Sequence, residues 1–512
     1  MHTRCLSPGV VLSLDNLSEF IAAIDAAGEL HRISHPVRVH LELCEIADRV
    51  MKLPGGGPAL LFEHPVLRDG TRSSMPVAIN LFGSMRRMSI ALGVDNMDSI
   101  GARITQLLDL KVPDGLFAKL GLVSRLFEVS KFPPRTSSSG TPSCQEIVWR
   151  GDEVDLDKLP IITCWPEDGG PYVTLTMVIS KDPARGIRNV GMYRVQQIGK
   201  RDVAMHWQRH KSGAEHLRQM AERGETMPVC IAVGADPASM YSASAPLPPM
   251  IDEFIFAGFL RKSPVKLVKA VTCDLEVPAD ADLVIEGYID PAEALVMEGP
   301  FGDHTGYYSE ADLYPRVHVT AVTMRKQATY ATTIVGKPPM EDFYLGHATE
   351  RIFLPLLKLT CPEIVDYHMP AEGGFHNLVF VSIDKRYPGQ ADKVMHALWG
   401  QGLMSLAKVL VVLDHDVNVR DPLEAWWSAL NNMDPDRDVR FTMGPVDVLD
   451  HASRAFTYGS KMGIDATRKW PEEGSSRPWP KMIDMDAGTK ASVDAMWSKL
   501  GFPPRSAPSG MR

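Results

Sequence analysis

Two carboxylates five residues apart, Glu298 and Asp303, bracket the turn sequence Gly299-Pro300-Phe301-Gly302. Two glycines and a proline restrict the backbone, so both side chains can be aimed into one place. Paired carboxylates in a shared cavity push their pKa values apart, leaving one ionised and one able to hold a proton near neutral pH. That is general acid–base chemistry; the same spacing also suits a surface turn with solvated acids. The segment Asn189-Val190-Gly191-Met192-Tyr193-Arg194 combines a neutral amide oxygen for a hard cation with a guanidinium fork for a carboxylate. Alone, it also reads as a strand end with an exposed arginine. Asp252-Glu253-Phe254 precedes the apolar run Ile255–Leu260, where acids in the first turn of a helix suit its dipole. His206 and His210, four apart, would share a helix face as zinc ligands. However, Asp202–Met205 reads as a strand and no glutamate lies between the histidines, which argues against a zinc hydrolase.

The chain has 512 residues, 45% hydrophobic and 23% charged, with 40 Gly and 39 Pro, an ordinary globular composition of two or three domains. Its net charge of −9, from 54 basic and 63 acidic residues, comes without a long basic run, which argues against a protein gripping nucleic acid through phosphates. The seven cysteines are dispersed, with no CxxC, as reduced thiols of a cytoplasmic protein would be. No stretch approaches the roughly 20 apolar residues of a membrane-spanning helix, and the Val10–Leu12 patch is no secretory signal. Walker A, GxGxxG, HExxH and GxSxG motifs are all missing, so nucleotide hydrolysis, common NAD binding, zincin and α/β-hydrolase chemistry lose their sequence support.

The elements that must position these residues fall into distinct stretches. Residues 13–33 predict an amphipathic helix, capped by Asp15 or Asn16 and stopped at Gly28. Pro54–Pro58 is a turn before the buried strand Ala59–Phe62. Residues 114–130 look helical, and the Pro/Ser-rich 131–143 marks a boundary. From about 145 to 330, short β-branched segments such as Tyr172–Ser180, Val265–Val271 and Leu283–Ile289 predict a β-rich sheet or barrel. Beyond 336, helical stretches (Leu354–Leu359, Ala391–Gly400) alternate with apolar strands (Leu378–Ile383, Ala407–Leu413), the pattern of a separate α/β domain.

Taken together, these segments resemble the UbiD family of prenylated-FMN-dependent decarboxylases. The resemblance runs over nearly the whole chain: AAGEL closing the first helix, Ala59–Glu63, NLFGSMRRM (80–88), CWPEDGGPY (164–172), NVGMYR (189–194), EFIFAGFLR (253–261), LEVPADADLVIEGYI (275–289), EGPFGDHTGYY (298–308) and VGKPP (335–339). It continues through EIVDYHMPAEGG (363–374), DVNVRD (416–421) and GSKMGIDATRKWP (459–471), where the wording is nearest the bacterial 3-polyprenyl-4-hydroxybenzoate carboxy-lyases. The resemblance implies a multidomain α+β and α/β fold. Residues 1–130 would be an N-terminal α/β portion and 131–335 a split β-barrel, flavin-reductase-like core. Residues 336–500 would be a C-terminal α/β oligomerisation domain, and 501–512 a flexible tail.

It also implies roles. Arg194 would hold the substrate carboxylate, Glu298 would orient Arg194, and Asp303 would protonate the carbon that loses CO2 or act as base in reverse. Desolvation by Phe301 and Tyr307, with Glu298 nearby, would have to raise the Asp303 pKa for that task. Prenylated FMN would be contacted by Asn189, Met192, Tyr193, Arg194, His206, Trp207, Gln208, His210, Lys211, Ser212 and Glu253. Asn189, His210 (rather than His206) and Glu253 would hold Mn2+ or Mg2+ against its phosphate, with K+ near Ser242-Ala243. The branch usually carries Arg-Trp-Leu and Arg-Gly where this chain has His206-Trp207-Gln208 and Lys211-Ser212, so the cofactor grip differs locally. The implied reaction is decarboxylation of 3-polyprenyl-4-hydroxybenzoate to the polyprenylphenol in ubiquinone biosynthesis, or of a smaller aromatic or heteroaromatic acid or a menaquinone-pathway intermediate. A flavin prenyltransferase would supply the cofactor to a homo-oligomer, dimer or hexamer. The 114–130 helix, with Lys119, Arg125 and Lys131, is a candidate peripheral membrane contact, though such a helix is more often core or subunit interface. A non-catalytic flavin- or metal-binding scaffold is the reading from another class; nothing in folding alone requires Arg194, Glu298 and Asp303 together.

Overall fold

The computed structural model describes residues 13–108, 131–137, 140–207, 211–248 and 251–502. The expected 114–130 helix, Val10–Leu12, Gln208, His210 and most of the 501–512 tail lie outside these residues. The chain forms two compact units, dividing between Ile352 and Phe353. Among the described residues no helix is long and apolar enough to cross a membrane.

The first unit opens with the helix Leu17–Ala26. The Asn16 side chain accepts from the Glu19 amide, and Leu17, Phe20, Ile21 and Ile24 form the buried stripe. The cap at Asn16 and the stop at Gly28 are those expected from the sequence. Left-handed Gly28 ends it, and Leu30–Ile33 becomes a strand parallel to Ala59–Phe62. Those two strands begin a four-stranded sheet completed by Val77–Ile79 and Tyr330–Ala331. The last of these follows Arg316–Met324, an inner strand of the large sheet described next.

That large sheet has nine strands. Along its path run Arg188–Gly191, Thr176–Lys181, Met227–Val233, Leu283–Ile289, Arg316–Met324, Asp202–Met205, Val195–Gln197 and Tyr172–Val173. Ile147–Arg150 pairs separately with Arg316–Met324, and every pairing is antiparallel. The predicted Tyr172–Ser180 segment is thus two strands on opposite flanks of the sheet, and Val265–Val271 contributes only Lys266–Lys269 to a small separate sheet.

The order of strands dictates a curled sheet. Arg188–Gly191 and Val195–Gln197 lie six strand spacings apart on the path, which would be about 29 Å in a flat sheet. Only Met192, Tyr193 and Arg194 connect them, a reach of about 14 Å at most. Val173 and Thr176 make a second short crossing between the same flanks. The sheet must roll until its ends meet, a curled half-barrel in keeping with the expected fold class. The two crossings are stitched together: the Thr176 hydroxyl donates to the Tyr193 carbonyl (2.5 Å) and accepts from the Tyr193 amide (3.1 Å).

The second unit is an α/β layer structure. Its five strands run in the order Ile364–His368, Leu378–Ile383, Val409–Asp414, Tyr458–Asp465 and Val439–Pro445, with the inner three parallel. Strand alternation splits the core in two. Val379, Val381 and Ile383 pack with Val394, Met395 and Leu398 of the helix Gln390–Trp399. Phe380, Val411 and Leu413 face the other way, toward Ala425 and Ala429 of the helix Pro422–Asn432. Phe380 is fully buried, with its ring edge-on to Trp426 at 5.4 Å. Phe380→Ala is expected to destabilise the protein by about 3–5 kcal/mol. Urea unfolding followed by tryptophan fluorescence checks this.

Candidate active site

Arg194 lies at the crossing where the sheet closes. The strand Val296–Glu298 pairs with Asp312–Tyr314, and Phe301–Gly302 pairs with Tyr308–Ser309. These two short ladders hold Glu298 and Asp303 on either side of the Gly-Pro-Phe-Gly turn, and both carboxylates reach Arg194. Glu298 takes the bidentate edge: Arg194 Nε donates to Oε1 at 2.8 Å and Nη2 to Oε2 at 3.1 Å. Arg194 Nη1 donates to Asp303 Oδ2, and Nη2 also donates to Ser309 Oγ at 3.0 Å. The guanidinium stacks 4.7 Å from the centre of the Phe301 ring. The Arg194 side chain is only 8% exposed and all three of its nitrogens are engaged, unlike the exposed arginine that its segment also allowed.

The electrostatics differ from the sequence expectation. Burial pushes the Asp303 carboxyl upward, but hydrogen bonding from His304 and the Arg194 charge outweigh it and hold it far below the ordinary carboxylate range. Glu298 is also lowered, because His206 and Arg194 overcome the effect of burial. The paired acids are not split into one ionised and one protonated group; a shared cation keeps both ionised. Tyr307, expected to dry the site, is 62% exposed, and that role falls to the buried Phe301 and Tyr172, whose rings lie 4.6 Å apart.

Several contributors carry no motif of their own in the sequence. His206 Nδ1 lies 2.9 Å from Glu298 Oε2, so it is a partner of the acid pair rather than half of a helical zinc pair. Gln196 Oε1 accepts the Gly299 amide (2.8 Å), while Asp168 accepts the amides of Cys164, Trp165 and Gly302. Trp165 fills the space that the motif glycines leave: a Cβ on Gly302 would be 2.1 Å from its ring, and one on Gly336 2.7 Å. The Trp165 indole donates to the Val335 carbonyl, joining CWPEDGG, EGPFGDH and VGKPP around one side chain. The Asp342 carboxyl, just past VGKPP, is pushed up to about 7 by burial, with His304 opposing that rise and Asp303 adding to it. Long sequence separation hid these pairings; only the shared motif block hinted at them.

Beside this cluster lie the residues expected to hold a cofactor. Asn189 is in the strand Arg188–Gly191, and Glu253 opens the helix Glu253–Arg261, capped by Asp252. Glu253 Oε2 accepts the Val190 amide at 2.7 Å, and burial pushes this carboxyl up to about 8. The Glu253 carboxylate, bonded to the backbone next to Asn189, and the Asn189 amide offer oxygen donors of the kind a hard divalent cation takes. The Met192 amide donates to the Ala243 carbonyl (2.8 Å). The Tyr193 ring meets Trp207 edge-on at 6.3 Å. Trp207 Nε1 is buried with no acceptor among the described residues, against Gly213 in the first turn of the helix Ser212–Arg223. A cleft lined by Arg185, Arg188, Asn189, Lys211, Ser212 and Arg218, with Asp182 and Glu215 as acidic neighbours, opens there, and Arg218 is paired with Glu215. Basic side chains around a helix N-terminus make a setting for a phosphate, and the residues present fit a flavin phosphate with its cation.

Comparison with known proteins agrees with this architecture. Models of the 3-octaprenyl-4-hydroxybenzoate carboxy-lyase family match the chain in three parts: the N-terminal domain over residues 21–104, the Rift-related domain over 135–338 and the C-terminal domain over 343–466. The chain belongs to this family, the UbiD carboxy-lyases. An uncharacterized protein of Aquifex aeolicus is 51% identical over 487 residues, 95% of this chain and 99% of that one. Among solved structures, the UbiD-class enzyme HmfF of Pelotomaculum thermopropionicum, in complex with FMN, is 29% identical with a TM-score of 0.76, covering 93% of this chain and 98% of its own. The vanillic acid decarboxylase of Sedimentibacter hydroxybenzoicus in its closed form is 25% identical with a TM-score of 0.81, covering 95% and 98%.

Both site carboxyls are held below their ordinary values, so the stability they contribute is present above about pH 4 and is lost as pH falls further toward their folded values. Arg194→Ala strands two buried carboxylates and is expected to cost about 3–5 kcal/mol at pH 7. That deficit should shrink below about pH 4, where protonation removes the unpaired charges. Denaturant unfolding of both proteins at pH 7 and pH 3.5 measures it.

Proposed function

We propose that this chain decarboxylates an aromatic acid with the help of prenylated FMN. The observation that carries the reading is the buried Arg194 fork shared unequally by Glu298 and Asp303. A scaffold does not need a cation held between two acids, one of which a carboxylate ligand could replace. HmfF is a UbiD-class enzyme bound to FMN, and an evolved dimeric form of it was solved with prFMN, which supports the cofactor assignment. Asn189, Met192, Tyr193, Arg194, His206, Trp207, Gln208, Lys211 and Ser212 would hold the flavin, with Asn189, Glu253 and His210 on a Mn2+ or Mg2+ ion at its phosphate and K+ near Ser242–Ala243. When bound, prenylated FMN supplies an electron sink for the pair released as CO2 departs.

The residues of the chain divide the remaining work. Glu298 keeps two donors of Arg194 and fixes the plane of the guanidinium, while Asp303 engages only Nη1 and is the partner a substrate carboxylate displaces. Once displaced, Asp303 has lost its nearest cation in a site dried by Phe301 and Tyr172, and its affinity for a proton rises. His304 Nδ1, 3.1 Å from Asp303 Oδ1, is placed to feed that proton. Asp303 then delivers it to the carbon that has lost CO2. In the reverse direction the ionised Asp303 of the resting site serves as base.

The first substrate to test is 3-polyprenyl-4-hydroxybenzoate, giving 2-polyprenylphenol and CO2 in ubiquinone biosynthesis. The likeness to vanillic acid decarboxylase favours a second reading, a small phenolic acid. In either case we infer a cytoplasmic homo-oligomer, dimer or hexamer, supplied by a flavin prenyltransferase.

Co-expression with an active flavin prenyltransferase and anaerobic purification should yield prenylated FMN, identified by mass and absorption, and CO2 release from an aromatic-acid panel. Ordinary FMN or no flavin would replace this reading with a flavin- and metal-binding scaffold. Asp303→Asn is expected to lower both CO2 release and substrate-carbon H/D exchange by about 100-fold or more while the bound-cofactor spectrum is kept. Unchanged exchange in that variant would remove Asp303 from the proton path.

A further inference from the structure

The cysteines, dispersed in sequence, are not all dispersed in space. Cys230 lies in the middle of the strand Met227–Val233, an inner strand of the large sheet, and Cys273 lies at the tip of the hairpin formed by Lys266–Lys269 and Glu276–Pro278. Their Sγ atoms are 3.5 Å apart. The hairpin tip is anchored over the sheet by the fully buried Glu286, the neighbour of Cys230 across the ladder. Glu286 accepts the Val271 amide at 3.0 Å, the Thr272 amide at 2.8 Å and the Thr272 hydroxyl at 2.7 Å. The contact between the thiols is therefore held by three hydrogen bonds on one carboxylate and is not a chance meeting of two surface side chains.

The two thiols are unequal. Cys230 is buried, whereas Cys273 is partly open to solvent. The Cys230 hydrogen bond lowers the Cys273 pKa against burial, while that same pairing, with burial, pushes Cys230 well up. An accessible thiol of lowered pKa beside a buried partner is the arrangement in which one sulfur meets an oxidant and the other resolves it. Cys44 and Cys164, by contrast, are both buried and meet no oxidant directly.

We propose that Cys273 and Cys230 form a peroxide-sensitive thiol pair that closes to a disulfide, a modification site separate from the acid cluster and independent of the decarboxylase reading. The Cys273 thiolate attacks a hydroperoxide oxygen, the O–O bond breaks, and with hydrogen peroxide one water leaves as Cys273 becomes the sulfenic acid. The Cys230 sulfur then attacks the Cys273 sulfur. The S–S bond forms, the S–O bond breaks, and a second water departs with the Cys230 proton. Two thiols are oxidised by two electrons and one peroxide is reduced. Bringing the sulfurs from 3.5 Å to bonding distance, about 2 Å, is within the reach of side-chain rotation on a tip already fixed over the sheet. The bond would pin the hairpin to the sheet. The same hairpin carries Glu276, which is paired at 3.2 Å with Arg188 beside Asn189, so the cross-link reaches the strand that borders the basic cleft.

The test uses the full-length protein, freed of reductant and treated with equimolar hydrogen peroxide, followed by intact mass and non-reducing peptide mapping. The expected product has lost two hydrogens, links the Cys230 and Cys273 peptides, and titrates in denaturant with two thiols fewer than the original seven. Reduction should restore both. Cys230→Ser should stop at the Cys273 sulfenic acid, trapped by dimedone, and Cys273→Ser should leave Cys230 unreacted. Sulfinic or sulfonic acid on Cys273 with Cys230 still free in the wild-type protein would overturn the pairing. So would a cross-link through any other cysteine, or equal reactivity of Cys230 in the Cys273→Ser protein.

Discussion

Arg194 sits where neither it nor its two carboxylate partners would be tolerated alone. A nearly buried guanidinium, a buried Glu298 and a buried Asp303 each carry a large desolvation cost, and only their mutual contacts offset it. The group leaves one negative charge in excess, and that excess is placed beside His206 and His304, each in contact with one of the acids. The geometry is therefore set by electrostatic need: Glu298 holds the fork flat along one edge, and Asp303 meets it with a single contact. A site with one firm and one loose anion partner can admit a third carboxylate by exchanging the loose one.

That cluster depends on the way the sheet closes. The link Met192–Arg194 is too short to join two strands six places apart unless the sheet rolls up, and once rolled it delivers Arg194 to the seam. The second crossing, through Thr174 and Leu175, lies alongside, and Thr176 bonds both to Tyr193. Glycine is needed where neighbours press against the seam. Gly191 meets the Tyr193 ring at 2.2 Å from where a Cβ would be, and Gly302 meets Trp165 in the same manner. Closure of the sheet and assembly of the acid cluster are thus one event, because the connection that closes the sheet carries the arginine.

The same seam separates the acid cluster from the phosphate-type setting without moving far along the chain. Asn189 and Arg194 are five residues apart, at opposite ends of the crossing. Glu253 faces the first through the Val190 amide, and Glu298 faces the second. The residues proposed to hold the flavin phosphate and its cation thus stand toward one end of the crossing, and the acid cluster stands at the other. The chemistry proposed above follows from this polarity of the strand and its turn.

Local elements and motif blocks were legible from the residues alone. The capped Leu17–Ala26 helix, the strands Ala59–Phe62, Asp202–Met205 and Leu283–Ile289, and the α/β alternation of the second unit follow from periodicity, caps and turns, which act over a few residues. The EGPFGDH block announced an acid pair because glycine and proline restrict a backbone wherever they stand. The protonation state was decided only by the tertiary structure. Whether Glu298 and Asp303 repel each other or share a cation depends on Arg194, more than a hundred residues earlier in the chain, and no local rule reports it. The partners of His206, Ser309, Asp168 and Trp165 were hidden for the same reason, although all but Ser309 fall in segments that the sequence singled out. Their side chains are ordinary in sequence and acquire function only when a rolled sheet brings distant strands within hydrogen-bond distance.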